Sequence, residues 1–303
     1  MSDLIDIALR YFVEVIHCGS IRSASDRLQI APSAISRQIQ ILEQRLGAPL
    51  LIRNRTGIRA TKQGELVAGY AHSITREMDR IKAAIDDLSS LRNGSVTVAA
   101  VEATIGRVLP ESIQAFRQKF PGIHITVRIL GTHQVAEAVL KEEADIGIAL
   151  DPPLRSELLL RTRWSQPLQA VMPPDNALAS GNGSLSLIEI LSQAHILPDR
   201  SFGIRTLLER AAAKARIATA PIIETNSISV TKSLVIASSC VTILPPEAVS
   251  QEMASGSLIC RAIDEPSLSK ATIDVITLRS QRMSKAADAL LAFVRRSVAD
   301  CKA

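Results

Sequence analysis

The sequence predicts an α/β protein that begins with a winged helix-turn-helix, continues through a long linker helix and ends in a larger domain. Two observations lead to this prediction. Apolar residues recur at helical spacing through residues 4–46, in three stretches separated by Gly19 and Pro32. After residue 92, short apolar runs alternate with helical patterns, as they do in α/β domains. A chain of 303 residues has room for two or three such domains.

Composition excludes several classes of protein. Hydrophobic residues make up 47% of the chain and charged residues 21%, as in soluble globular proteins. No apolar run approaches the roughly 18–20 residues needed to cross a bilayer, and the acidic start at Asp3 is unlike a secretion signal. The four cysteines show no C-x-x-C spacing, so we expect reduced thiols and a cytoplasmic location.

The positive charge is concentrated near the N-terminus. Residues 21–62 carry eight basic side chains against Asp26 and Glu43, so this segment has a charge of +6 within a chain of +5. The eight are Arg22, Arg27, Arg37, Arg45, Arg53, Arg55, Arg59 and Lys62. A basic segment on a near-neutral body is typical of a nucleic-acid contact, although a solvated charged face has the same composition.

The first three helices are predicted from apolar spacing and from their end signals. The first covers residues 4–17 and ends at Gly19, and Ser20 is the expected N-cap of a helix over residues 21–28. Pro32 suits the first position of a third helix, because its missing N–H has no partner there. Two short helices joined by about three residues form a helix-turn-helix, here at about residues 21–40.

The exposed start of the third helix is the expected DNA-reading surface, because this part of the motif faces the major groove. Its candidate residues are Pro32, Ser33, Ser36, Arg37 and Gln40. Arginine bonds guanine through two donors, glutamine bonds adenine, and serine bonds bases or phosphates, whereas proline offers no donor. Apolar pieces around Arg53 and Arg55 predict a two-stranded wing that contacts phosphates or the minor groove.

Residues 63–91 predict a linker helix, because they contain no proline and their only two glycines lie near the start. Apolar residues follow steps of three and four, which favours a seam for a partner helix. The seam consists of Val67, Tyr70, Ile74, Met78, Ile81, Ile85 and Leu88. Such stripes are often intramolecular core, but a linker with no core of its own favours dimerisation. The chain is thus divided into residues 1–62, 63–91 and 92–303.

The remaining residues predict a parallel sheet covered by helices. Strands are expected at 96–101, 123–130 and 146–150, and a second series begins after Trp164. A final strand and a closing helix, at 272–278 and 285–298, should return to the first series. In such sheets ligands bind beyond the carboxyl ends of the strands, where helix N-termini present N–H groups.

The order and spacing of many residues resemble the LysR-type transcriptional regulators. The matching positions are Tyr11-Phe12, Gly19-Ser20-Ile21, Ala24, Leu28, Ser33 to Ile39, Leu42-Glu43, Leu46-Gly47, Pro49-Leu50-Leu51, Arg53, Arg55 and Thr61 to Gly64. One departure is Pro32, where many members have glutamine. The resemblance is strong through residue 64 and looser afterwards, but it covers essentially the whole chain.

This resemblance implies a sequence-specific DNA-binding regulator controlled by a small molecule. Its C-terminal domain would have two Rossmann-like lobes of the periplasmic-binding-protein kind, lobe 1 at about 95–166 plus 266–303 and lobe 2 at about 167–265. The implied partners are double-stranded DNA at a partly palindromic promoter, a small organic effector, RNA polymerase and further copies of the chain. The chain would dimerise through its linker helix, with a homotetramer as the expected assembly. No cofactor, metal or membrane is expected.

The expected effector site lies in loops that follow the strands of both lobes. Its candidates are Glu102, Ala103, Thr104, Thr132, Ser201, Phe202, Gly203, Asn226 and Ser227. Family members often have Ser or Thr at the positions of Ala103 and Thr132, so Thr104 substitutes for the first hydroxyl. A hydroxyl at a helix start orients a carboxylate or similar anion, and it also serves as an N-cap.

Three other function classes were weighed against a regulator. An enzyme is disfavoured because the five histidines show no H-E-x-x-H spacing and the sequence has no G-x-S-x-G or P-loop motif, so no catalytic residues are predicted. A solute-binding receptor is disfavoured by the missing signal peptide and the basic helix-turn-helix. An architectural DNA-binding protein is disfavoured by the large two-lobed domain.

Overall fold

The computed structural model describes residues 6–54, 57–86, 93–153, 155–280 and 283–300, with the side chains of 53, 54, 72 and 76–86 left out. The chain forms two compact units, Met1–Leu88 and Ser89–Ala303. Within the described ranges, no helix combines the length and apolar character of a membrane span.

The N-terminal unit contains the predicted helix-turn-helix. Its helices are α1 (Ile7–Cys18), α2 (Ile21–Leu28) and α3 (Pro32–Leu46), packed around Phe12, Val15 and Ile35. The predicted cap of α2 is confirmed, because the Ser20 hydroxyl accepts the Ser23 N–H at 3.0 Å. The turn between α2 and α3 is held by Ser25, whose hydroxyl donates to the Ile30 carbonyl at 2.6 Å.

The predicted wing is an antiparallel hairpin of β1 (Leu51–Asn54) and β2 (Gly57–Ala60), and α4 (Lys62–Asp86) follows it. The Glu43 carboxylate fixes the start of the wing by accepting the Leu50 N–H at 2.7 Å. Gly64 in α4 approaches the same backbone so closely that a Cβ there would lie 2.1 Å from the Leu50 carbonyl oxygen. Only glycine therefore allows α4 to pack beside the wing.

Lobe 1 of the C-terminal unit contains a five-stranded sheet in the order β4-β3-β5-β12-β6. Its strands are β3 (Gly94–Ala100), β4 (Ile123–Ile129), β5 (Ile146–Leu150), β6 (Leu158–Ser165) and β12 (Thr272–Leu278). Its helices are α5 (Val108–Lys119), α6 (Thr132–Leu140) and α12 (Lys285–Asp300). The core is apolar, with Phe116, Ile146 and Ile148 fully buried.

The prediction of a parallel sheet is wrong for part of lobe 1. Strands β4, β3 and β5 are parallel, but β12 runs antiparallel to both β5 and β6. The reason is that β12 arrives from lobe 2 without the crossover helix that a parallel pairing requires. Strand β6 was not predicted.

Lobe 2 has an antiparallel sheet of β10 (Thr242–Leu244), β7 (Gln169–Met172) and β11 (Ile259–Ala262), and a parallel pair of β8 (Ile196–Pro198) and β9 (Ile223–Thr225). Its helices are α7 (Leu187–Leu191), α8 (Gly203–Ala215), α9 (Ile228–Ser238), α10 (Ser250–Ala254) and α11 (Pro266–Ser269). The buried Arg205 joins α8 to β9, because its guanidinium lies 2.9 Å from both Glu209 and Glu224.

Two segments connect the lobes and lie side by side. The outgoing segment links β6 to β7, and the returning segment links α11 to β12. The N–H of Gln166 donates to the Ala271 carbonyl at 2.8 Å, and the N–H of Leu168 donates to the Leu268 carbonyl at 3.0 Å. We call this hydrogen-bonded pair of segments, residues 166–168 and 268–271, the hinge.

Candidate DNA-binding and effector sites

The exposed face of α3 carries the predicted base-reading residues. Ser33, Arg37 and Gln40 are exposed and Ser36 is half-buried, whereas Ile35 and Ile39 on the opposite face are buried. No carboxylate pairs with Arg37 among the described residues. By contrast, Arg27 is paired with Glu14 at 3.1 Å and Arg45 with Asp6 at 3.3 Å. The Arg37 guanidinium is therefore available for an external acceptor.

The N-terminus of α3 is a second polar feature of this surface. The sequence predicts Pro32 at its first position but does not indicate a free N–H group there. Pro32 is exposed at the first position, and within the described chain no side chain caps the helix at Ala31. Pro32 has no N–H and the Ala34 N–H donates to the Ala31 carbonyl at 3.0 Å. Within the described chain the Ser33 N–H is therefore left for an outside acceptor, and a helix N-terminus favours a negatively charged one. A DNA phosphate has this character.

The wing is fixed to the end of α1 as well as to Glu43 of α3. The Ile58 N–H donates to the Gly19 carbonyl at 2.8 Å, and a Cβ on Gly57 would lie 2.9 Å from that carbonyl oxygen. Arg59 and Lys62 are exposed beside it. Of the predicted wing-tip residues, the side chain of Arg53 and the whole of Arg55 lie outside the described residues.

A cluster of metal-ligand types lies at the end of α1. The carboxylate of Glu14, the imidazole of His17 and the thiol of Cys18 have donor atoms within 4.8 Å of one another. Arg27 of α2 contacts two of them, Glu14 and His17, both at 3.1 Å. The pKa of the Cys18 thiol is raised by burial and by the neighbouring Glu14 carboxylate. The Arg27 guanidinium therefore already supplies, beside Glu14 and His17, the positive charge that a bound metal ion would provide.

Helices α1, α3 and α4 enclose an apolar groove of about 440 Å³, which includes Leu9, Leu42 and Leu46. Of the predicted seam, Val67 and Ile74 are partly buried against the core of the N-terminal unit, whereas Tyr70 is 67% exposed. Leu66 is 77% exposed and was not predicted, because it is out of step with the seam. The side chains of Met78, Ile81 and Ile85, and the whole of Leu88, lie outside the described residues.

In the C-terminal unit, Thr132 at the start of α6 makes the first contact between the lobes. Its N–H donates to the Ser201 carbonyl, and its hydroxyl accepts the Gly203 N–H, both at 3.0 Å. The backbones are so close that a Cβ on Gly131 would lie 2.6 Å from the Ser201 oxygen. A Cβ on Gly203 would lie 2.5 Å from the Leu150 oxygen. The expected position of an effector is thus taken by direct contacts between the lobes.

Glu102 makes the second contact between the lobes. Its carboxylate accepts the N–H of Ile228 at 3.0 Å, at the N-terminus of α9, where Ser227 is the N-cap. A negative charge is favourable at this end of a helix. Near this contact, a Cβ on Gly106 would lie 3.3 Å from the Glu247 carbonyl oxygen. Glu102 therefore binds α9 in the manner expected of an anionic ligand.

The other predicted effector residues have varied environments. Ala103 and Thr104 are buried, and the Thr104 hydroxyl donates to the Val101 carbonyl at 2.8 Å within its own turn. Phe202 packs against the core, Asn226 is exposed, and the Ser201 hydroxyl donates to Asp199 at 2.6 Å. The structure brings Thr132 to Ser201 and Gly203, and Glu102 to Ser227 and Ile228, but Thr104 uses its hydroxyl locally.

Two family models match the chain. One, described as a bacterial regulatory helix-turn-helix protein of the lysR family, matches residues 7–65, and the LysR substrate binding domain matches residues 89–299. A probable RuBisCO transcriptional regulator from Emiliania huxleyi is 26% identical over 271 residues, covering 87% of this chain and 86% of that protein. The HTH-type transcriptional regulator BbuR of Bordetella bronchiseptica is 25% identical over 276 residues, covering 91% and 83%.

Solved structures share the same fold. Full-length CbnR complexed with its target DNA matches with a TM-score of 0.69 and 20% identity, covering 97% of this chain and 100% of that one. A full-length OxyR variant from Pseudomonas aeruginosa matches with a TM-score of 0.71 and 19% identity, covering 97% and 96%. At this level of identity the likeness concerns the fold alone.

Proposed function

The chain belongs to the LysR family of DNA-binding transcriptional regulators, and from that premise we propose how its own residues read DNA and respond to a ligand. The observation that carries the DNA proposal is the exposed, unpaired Arg37 on a helix whose N-terminus is uncapped in the described chain. Helix α3 enters the major groove, where Arg37 bonds a guanine and Gln40 an adenine. Ser33 binds a phosphate through its hydroxyl and its N–H group.

The wing supports this contact without reading sequence. Arg59 and Lys62 are exposed there, and with Arg53 and Arg55 they bind phosphates or the adjacent minor groove. Such contacts add affinity for any DNA and make the affinity depend on salt.

An alanine substitution tests the base-reading role of Arg37. Arg37→Ala should weaken binding to a duplex from the chain's own upstream region by about 5- to 150-fold, which corresponds to roughly 1–3 kcal/mol. It should also relax the preference at one base position. Fluorescence anisotropy with the upstream duplex and a scrambled duplex measures both effects.

Arg45→Ala is the matched control, because Arg45 lies on the same helix but is paired with Asp6. Arg59→Ala should instead weaken binding to both duplexes alike. It should also reduce the slope of log affinity against log salt concentration by about one. If Arg37→Ala weakened both duplexes equally, Arg37 would not read a base.

The proposed active form is a homodimer, from which a homotetramer assembles. The second copy would cover the groove between α1, α3 and α4, where Leu46, Leu66 and Tyr70 are exposed. A two-fold dimer reads a partly palindromic site. It would act in the cytoplasm on promoter DNA, with RNA polymerase as its further partner.

The proposed effector is a small organic molecule that binds between the lobes. Two sets of hydrogen bonds already occupy this position, one at Thr132 with Ser201 and Gly203, the other at Glu102 with Ile228. An effector there must replace some of them, so its binding and the contact between the lobes are coupled. The effector can shift the equilibrium between two arrangements of the lobes only to the extent that its affinities for the two arrangements differ.

A further inference from the structure

A second cavity lies beside the hinge, where helix α8 of lobe 2 faces the returning segment and the end of β5. Its volume is about 520 Å³, within the range of small-molecule sites. Leu207 and Ala271 are almost fully buried and form an apolar floor. None of the residues that line this cavity takes part in the lobe contacts at Glu102 and Thr132.

Three cations and one carboxylate surround the cavity. Arg210 and Lys214 lie one turn apart on α8, Lys270 belongs to the hinge, and Asp151 follows β5. Neither Lys214 nor Lys270 has a carboxylate partner within ion-pair distance among the described residues. The pKa of the Glu265 carboxyl is lowered by hydrogen bonds from Ser267 and, to a smaller extent, by the charge of the nearby Lys214. Positive charge therefore predominates at the rim.

The one ion pair at this rim is weakly held. The Arg210 guanidinium lies 3.3 Å from the Asp151 carboxylate, and the two side chains are 63% and 44% exposed. Pairs this exposed contribute little to stability, so a stronger anion can take the place of Asp151. Asp151 also has a left-handed backbone conformation, with a φ of 43°, which is uncommon for residues other than glycine and asparagine.

The backbone of Asp151 is hydrogen-bonded to the residue that follows the hinge. The Asp151 N–H donates to the Thr272 carbonyl at 3.1 Å, at the point where the returning segment enters β12. An anion that bound Arg210, Lys214 and Lys270 would join lobe 2 to the hinge and release Asp151. Its binding would therefore break the Arg210–Asp151 ion pair, which joins α8 of lobe 2 to the end of β5 in lobe 1.

We propose that this hinge cavity is a second ligand site, which takes a small polyanion bearing phosphate or carboxylate groups. Arg210 bonds one anionic group through two donors, and Lys214 and Lys270 neutralise the remaining charge. The apolar floor accommodates a short carbon skeleton. The site shares no lining residue with the proposed effector site at Glu102 and Thr132 and does not depend on it.

The test uses the full-length protein and two probes, inorganic pyrophosphate and citrate. Isothermal titration at constant ionic strength should give saturable binding of at least one of them. Binding of pyrophosphate alone identifies phosphate as the recognised group, and binding of citrate alone identifies carboxylate. If neither bound saturably, the proposal would be overturned.

Two sets of substitutions assign the binding to this cavity by opposite effects. Lys214→Gln with Lys270→Gln should weaken binding by about tenfold or more, because charged contacts are lost. Asp151→Asn should strengthen it several-fold, because it removes the competing carboxylate, and asparagine tolerates the left-handed conformation. Lys119→Gln, which removes a charge elsewhere in lobe 1, should have no effect.

Other sites are distinguished in the same titrations. The Arg-rich N-terminal unit would also attract anions, but binding there would not respond to Lys214, Lys270 or Asp151. Binding that is unchanged in the double lysine variant overturns the hinge cavity as the site. If Glu102→Gln instead altered the affinity, the anion would lie between the lobes, and the effector proposal would remain.

Discussion

Glu102 sets the charge at the contact between the lobes. Its carboxylate already accepts the first N–H group of α9. A ligand that bound this N–H through its own carboxylate would therefore have to displace the carboxylate of Glu102. A neutral or cationic ligand would not meet this competition. One side chain would thus limit which effectors the proposed site between the lobes accepts.

Glu102→Gln tests this role, because glutamine keeps an acceptor for the Ile228 N–H but removes the charge. We expect the free energy of unfolding to fall by about 0.3–1 kcal/mol, the usual value of a charge at a helix N-terminus. Urea unfolding measures it. Asp264→Asn is the control, because Asp264 is exposed, lies outside the helices and makes no described side-chain contact between the lobes. A loss as large in the control would contradict the role of Glu102.

Single residues were predicted well where their role is local. Gly19, Ser20 and Pro32 have the expected roles at helix ends, because a helix end depends on residues a few positions away. The partner of Glu102 is 126 residues distant, and nothing near Glu102 in the sequence indicates it. Thr132 was chosen for its hydroxyl, but its bond to Gly203 depends on how closely the lobes approach.

Helix α4 shows how one element serves two surfaces. Val67 and Ile74 complete the core of the N-terminal unit, while Leu66 and Tyr70 present apolar surface to solvent. The periodicity of the sequence detected residues of both surfaces, Val67 and Ile74 of the first and Tyr70 of the second, and assigned them all to the dimer. A stripe of apolar residues does not reveal what covers each of them. Leu66 and Tyr70 of the second surface line the same apolar groove as Leu46 of α3.

The dimer proposal is tested by placing charge on this second surface. Leu66→Glu combined with Tyr70→Glu should yield monomers, because dimerisation would bury two charges without partners. Light scattering coupled to size exclusion measures the mass. Ile188→Glu, on an exposed apolar residue of α7, should keep the parent mass. A dimer that survived the double substitution would use another surface.

Elements were missed where tertiary pairing outweighs local pattern. Strand β6 contains Arg161 and Arg163 among apolar residues, and it is stabilised by pairing with β12, more than 100 residues later. Its Arg163 is held 2.6 Å from the Asp274 carboxylate of that strand. Helix α9 ends before Ser239, whose left-handed φ of 50° is unusual for serine, so no local signal marks this end.

At the scale of the whole molecule, the C-terminal unit has acidic groups that favour neutral pH. Glu252 is the clearest case. Its burial alone would raise the pKa, but the hydrogen bond and charge of Lys232, 2.7 Å away, outweigh burial and lower it. A carboxyl whose folded pKa is lowered stabilises the fold above its unfolded pKa. This stability is lost as pH falls through the folded value.

We therefore expect the free energy of unfolding of this unit to fall as pH drops below about 4.5, the ordinary value for Glu252. Glu252→Gln should cost about 1–2 kcal/mol at pH 7 and progressively less in acid, because the parent carboxyl is then neutral as well. Urea titrations followed through the only tryptophan, the buried Trp164, measure both. A cost that did not change between pH 7 and pH 3 would contradict the expectation.

The close approach of the lobes at Gly131 and Gly203 also has a genetic consequence. Every amino acid that one nucleotide change can substitute for glycine carries a Cβ, and at both positions that atom would lie within 2.6 Å of a backbone oxygen. Any missense mutation there pushes the lobes apart without touching the DNA-binding unit. If the contact between the lobes carries the proposed response to an effector, alleles that uncouple regulation from the signal are a single mutational step away. Selection for altered regulation should recover them at these two codons.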